Sequence, residues 1–79
     1  MKTYVFRVVI EPDEDVFTAY CPALKGCVTW GKTETEALKN IRDAVEAYIE
    51  DMIKAGDTIP EDVPGEIQVL STPAVSVTV

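Results

Sequence analysis

The chain has 79 residues, with 14 acidic and 7 basic side chains, a formal net charge of −7 and no histidine. That length holds one domain, read as residues 1–79, and that charge repels phosphate backbones, so direct nucleic-acid binding is not expected. Without histidine a His-containing zinc site and a Ser-His or Cys-His nucleophile pair are excluded within one chain, and two cysteines cannot complete a zinc site made of four cysteines. Hydrophobic residues make up 47% of the chain, more than so small a core takes in, so part of them is expected in a subunit interface of a homo-oligomer, dimer or tetramer.

The N-terminal stretch alternates and carries Arg7 within its apolar run, which is not a signal peptide, and no run of about 18 apolar residues offers a membrane span. A cytoplasmic protein is expected. Cys21 and Cys27 are then thiols, or a disulfide in an oxidising or thermophilic setting.

A first strand is expected at 3–11, with Tyr4, Phe6, Val8 and Ile10 on one face and Val5, Arg7, Val9 and Glu11 on the other. Pro12-Asp13-Glu14-Asp15 should end it in a hairpin loop of four or five residues, followed by a strand at 16–21. The acidic cluster here lacks the glycine and the closing glutamate of an EF-hand, so it reads as an exposed turn or a contact to a basic partner, with no metal site.

Cys21 to Gly26 is a loop, and Gly26 supplies a positive φ before a short strand at 27–30 that Gly31 closes. Val28 and Trp30 share one face of it, and the tryptophan reads as a core or interface anchor. Thr33-Glu34-Thr35-Glu36 is a capping box: Thr33 accepts from the Glu36 amide, and the Glu36 carboxylate returns to the Thr33 amide. The helix it starts is expected over 34–55 and ends at Gly56. Leu38, Ile41, Val45, Tyr48 and Met52 form the stripe toward the sheet, and Ala37, Ala44, Ile49 and Ile53 widen it enough for cover on two sides. Asp43, Glu46 and Glu50 lie on the opposite, polar face, either solvated or as an acidic patch for a partner. Beyond an extended connection punctuated by Pro60 and Pro64, a short strand at 66–70 and a terminal strand at 74–79 are expected.

Gly26 to Thr33 formally spells a phosphate-binding P-loop. The residues between its glycines read as a strand, so no backbone is free to curl round a phosphate, and no catalytic residue or cofactor site is assigned. A small metal-dependent nuclease would need carboxylates gathered on strand interiors, and here they sit on a turn and an outer helix face.

Several local words together resemble the HicB antitoxin family. They are Tyr4 to Ile10, Asp13-Glu14-Asp15, Phe17-Thr18-Ala19-Tyr20-Cys21-Pro22, Leu24 to Thr29, Gly31-Lys32-Thr33-Glu34-Thr35-Glu36-Ala37-Leu38 and Asn40 to Val45. The resemblance implies an α+β fold of order β-β-β-α-β, a partial RNase H-like antiparallel sheet with one long helix packed on one face. It implies a type II antitoxin that covers a small basic RNA-cleaving HicA-like toxin and performs no chemistry. The sequence departs from the family where Val16 follows the acidic turn in place of a common glycine, and the stretch after the helix does not read as a DNA-binding segment. The expected partner contacts are Asp13, Glu14, Asp15, Asp43, Glu46 and Glu50. The alternative is a stand-alone homo-oligomeric domain of unknown ligand.

Overall fold

The computed structural model describes residues 3–60 and 73–78. Its elements are β1 (Thr3–Arg7), β2 (Val9–Asp13), β3 (Val16–Tyr20), β4 (Val28–Gly31), α1 (Glu34–Ala55) and β5 (Ala74–Thr78). The expected strand at 66–70 lies outside the described residues.

The first strand is divided. β1 pairs antiparallel with β5, and β2 belongs to an antiparallel sheet of order β2-β3-β4. Val8 marks the break: its side chain is fully buried and its amide donates to the Pro73 carbonyl at 2.9 Å. One stretch of alternating sequence thereby serves two ladders. Its inward parity is as expected, with Phe6 and Val8 buried and Tyr4 and Ile10 packed against the core. Pro12 does not end the strand. It lies within β2 opposite Phe17, which an edge strand tolerates because the missing N–H can face solvent. The hairpin loop is therefore shorter than expected, Glu14 and Asp15 alone.

α1 packs across β3, β4, β2 and β5. Its 22 residues match the expected span. The buried line is Ala37, Ile41, Val45 and Ile49, a row at four-residue spacing, with Leu38, Ala44, Tyr48 and Met52 only partly covered. The stripe centre is thus rotated from the expected one, because the helix packs along an i, i+4 ridge. Burying Ile41, Val45 and Ile49 contributes about 1.5–3 kcal/mol each. Ile53 is 48% exposed, so the helix is not covered on two sides.

Both helix ends are capped. Thr33 is extended, and its hydroxyl accepts from the Glu36 amide at 3.0 Å. The reciprocal half of the capping box is displaced by one residue: Glu36 Oε1 accepts from the Lys32 amide at 3.3 Å, not from Thr33. At the other end Gly56 is left-handed at φ 75, and the amides of Gly56 and Asp57 reach the carbonyls of Ile53 and Met52 at 3.1 and 2.9 Å. This is the Schellman arrangement, which satisfies two orphan carbonyls.

Candidate partner interface

The acidic turn is built by a tight hairpin. Asp13 pairs with Val16, so Glu14 and Asp15 project from the end of the ladder, and both are exposed. Glu14 has φ 55, the left-handed region that favours glycine. Backbone geometry thus holds the carboxylates of Asp13, Glu14 and Asp15 out from the sheet.

The second group lies on α1. Asp43, Glu46 and Glu50, with Ala47, line a shallow groove of about 280 Å³ on the helix face away from the sheet. Three- and four-residue spacing puts them on one stripe. Arg42 approaches Asp43 at 3.6 Å, but both side chains are 55% exposed, so the pair contributes little and leaves most of the stripe's negative potential in place. The turn and the helix stripe belong to separate elements and form two acidic regions. Among the described residues no three potential ligands of the His, Cys, Asp and Glu types gather as a metal-holding group.

Other singled-out residues settle into structural roles. Cys21 and Cys27 are both buried and present as thiols. Their loop is closed by backbone bonds from Cys21 to Cys27, Leu24 to Cys21 and Cys27 to Leu24, at 3.0, 3.1 and 3.1 Å. Burial, and secondly the neighbouring Cys21, push the Cys27 thiol above its ordinary pKa. Gly26 has φ 79, as expected. Val28–Gly31 is strand, so the nominal phosphate loop is a sheet element.

Trp30 narrows its expected role, a core or an interface anchor, by leaving the core. It is 55% exposed and Val28 is 63% exposed, so the tryptophan does not anchor the core of this chain. The cause is Gly31. A Cβ there would lie 2.8 Å from the Glu36 carbonyl carbon and 2.9 Å from Ala37 Cα, so the helix start rests directly on the Gly31 backbone. Strand alternation then turns Trp30 and Val28 to the opposite face.

Two side-chain contacts fasten this arrangement and have no signature in a hydrophobic pattern. Asn40 Nδ2 donates to the Trp30 carbonyl at 2.8 Å, and the Tyr48 hydroxyl donates to the Lys25 carbonyl at 3.0 Å.

Comparison with known proteins gives consistent results. A UPF0150 protein of Thermoplasma acidophilum is 48% identical over 65 residues, covering 81% of this chain and 94% of the relative. A UPF0150 protein of Helicobacter pylori is 48% identical over 48 residues, 61% of this chain and 67% of its own length. The crystal structure of the N-terminal domain of the Burkholderia pseudomallei antitoxin HicB has the same fold, with a TM-score of 0.63 at 24% identity over 95% of this chain and 96% of that one. A HicA3 and HicB3 toxin–antitoxin complex contains a chain matching at TM-score 0.61 and 19% identity, over 94% and 95% of the two chains. The family model described as the HicB-like antitoxin of bacterial toxin–antitoxin systems matches residues 6–74, and the chain belongs to that family.

Proposed function

We propose that this protein neutralises a small basic, RNA-cleaving HicA-like toxin by covering it, and performs no catalysis of its own. The observation that carries this reading is the placement of charge. Of a net −7, the exposed part includes the acidic stripe Asp43, Glu46 and Glu50 and the turn Asp13, Glu14 and Asp15. Such surfaces steer a basic partner and raise its association rate, with strong dependence on salt. Membership of an antitoxin family supports the role, and one fold neighbour is described as a toxin–antitoxin complex. In this reading the whole chain acts as one cytoplasmic unit. No helix among the described residues is long and apolar enough to cross a membrane.

The test uses a purified small basic HicA-like toxin. The two should form a stoichiometric complex that loses RNA-cleaving activity, and binding should weaken steeply with added salt. Binding no tighter than to an unrelated basic protein of equal size would overturn the reading.

A second reading, a self-associating protein, is favoured by one observation: Val28 and Trp30 are more than half exposed on a sheet face that α1 does not cover. Self-association and toxin binding are compatible. A molar mass above that of one chain in dilute solution would support it.

A further inference from the structure

The chain's two cysteines stand at the mouth of one loop. The β3–β4 register pairs Tyr20 with Val28, and its next step brings Cys21 opposite Cys27. The Cys21 amide donates to the Cys27 carbonyl at 3.0 Å, which carries the ladder on to that step. Strand alternation puts both side chains on one face: Tyr20 and Val28 turn outward, while Ala19, Cys21 and Cys27 are buried. Directly opposed residues of a hydrogen-bonded antiparallel pair have their Cα atoms about 5.5 Å apart. A disulfide spans Cα separations of about 4.4–6.8 Å, most often about 5.5–6 Å. Rotation of the two side chains therefore suffices to join these thiols.

The loop between them is held on several sides. Leu24 is buried beneath it, and the Leu24 amide and carbonyl bond to Cys21 and Cys27 at 3.1 Å each. The Lys25 carbonyl accepts from the Tyr48 hydroxyl at 3.0 Å, which ties the loop to α1. The two sulfurs also sense each other electrically, since Cys21 adds to the burial that raises the Cys27 pKa. A core drawn from 79 residues is small, and a domain of this size gains from a covalent staple.

We propose that Cys21 and Cys27 form a reversible dithiol–disulfide site, oxidised by a small-molecule disulfide of the glutathione type, whose closed form staples the β3–β4 loop. In a reducing compartment the pair rests as two thiols. Cys27 is 6% exposed against 2% for Cys21, so a reagent reaches its sulfur first. Its thiolate attacks one sulfur of the small disulfide, the S–S bond there breaks, a mixed disulfide forms and one thiolate leaves. The Cys21 thiolate then attacks the Cys27 sulfur and expels the second. The protein loses two electrons and two protons, and the small disulfide gains both to become two thiols. Burial keeps Cys27 protonated, so the exchange is slow at neutral pH and quickens as the pH rises.

The experiment equilibrates the full reduced chain with reduced and oxidised glutathione in set ratios, once in buffer and once in urea. Remaining thiols are blocked, and intact mass and a tryptic map are read. Lys25 lies between the cysteines, so trypsin puts them on the peptides 8–25 and 26–32. The expected product has one chain mass less two hydrogens, and those peptides stay joined until a reductant is added. A staple that favours the folded chain is favoured by it to the same degree, so the equilibrium constant in buffer should exceed that in urea on the order of tenfold. The oxidised chain should melt about 5–10 °C above the reduced one, and Cys27→Ser should show no such gain under the same oxidising conditions. Thiols that stay reduced in buffer while the urea-unfolded chain closes would overturn the site. So would a glutathione adduct that persists on either cysteine, or cysteines joined only between chains. An equilibrium constant no larger in buffer than in urea would show that the fold does not favour the pair, and overturns it as well. Should Cys27→Ser not fold, the wild-type mass, map and equilibrium constants decide alone.

Discussion

The side-chain amide of Asn40 donates to the main-chain carbonyl of Trp30 at 2.8 Å, a tie between the second turn of α1 and the strand on which the helix start rests. Asn40 is half-buried, so water replaces this bond only in part. Replacing Asn40 with leucine, a better helix former, removes the donor and leaves the carbonyl underused. The loss should be about 1 kcal/mol, and the better helix propensity offsets only a few tenths. For a domain of this size the net loss lowers Tm by about 3–6 °C. Thermal unfolding followed by circular dichroism measures it; an unchanged or raised Tm would show that the tie contributes nothing.

Gly31 and the other described glycines separate two kinds of glycine requirement. Gly26 and Gly56 need a positive φ, but an added Cβ meets nothing within 4 Å. Alanine there costs about 1 kcal/mol, the left-handed penalty. Gly31 carries no positive φ, yet its Cβ would strike the backbone at Glu36 and Ala37, which cannot rotate aside. Gly31→Ala must push α1 off β4, and about 2–3 kcal/mol is expected, at the upper end of overpacking costs. Urea midpoints should rank Gly31→Ala as clearly the least stable of the three. Equal losses would mean that the helix start moves freely.

That contact also explains which parts of the structure were legible in the sequence. α1 was readable to the residue because its signals are local: Thr33 and Gly56 mark the ends whatever the helix packs on. The rotation of its buried line onto Ala37, Ile41, Val45 and Ile49 was not, since Leu38 and Met52 are as apolar as the residues that displaced them. The division at Val8 depends on Pro73, far away in sequence, accepting its amide. The outward turn of Trp30 follows from the Gly31 contact, and a large aromatic carries no mark of which face it takes. The acids of the candidate interface were legible because charge pattern suffices to expose them. So was their division between a turn and an outer helix face, which follows from the order of the elements along the chain.

Cys27 gives a pH dependence. Its thiol is held above its ordinary pKa, chiefly by burial and then by Cys21. In the unfolded chain it ionises in the ordinary range near pH 8.5. Above that range the folded state therefore binds more protons than the unfolded state, and stability falls as pH rises. Below it the contribution is fully present. The urea midpoint should drop between about pH 8 and pH 10, and Cys27→Ala, though less stable overall, should show a shallower drop. The two chains differ in this thiol alone, so the difference in slope reports its linkage. Identical slopes would rule out this linkage.

Glu14 and Glu46 are each held at some cost to the fold, and the proposed toxin contact gives that cost a use. Glu14 sits at φ 55, and glycine in its place relieves a left-handed penalty of about 1 kcal/mol. Glu46 faces Asp43 and Glu50 at three- and four-residue spacing, while its attractive neighbour Arg42 already leans on Asp43. Glu46→Gln should stabilise the helix by about 0.2–0.5 kcal/mol. Both substitutions remove a negative charge from a surface assigned to a basic partner, so both should slow its association at low salt, with the difference fading at high salt. The expected signature is opposite in sign: a higher Tm and a lower association rate in the same variant. Stopped-flow association with the basic partner at two salt concentrations, beside thermal unfolding, measures both. A variant that gains stability and keeps the wild-type rate at low salt would remove that residue from the interface, and with both variants behaving so, the acidic surfaces would have no part in capture.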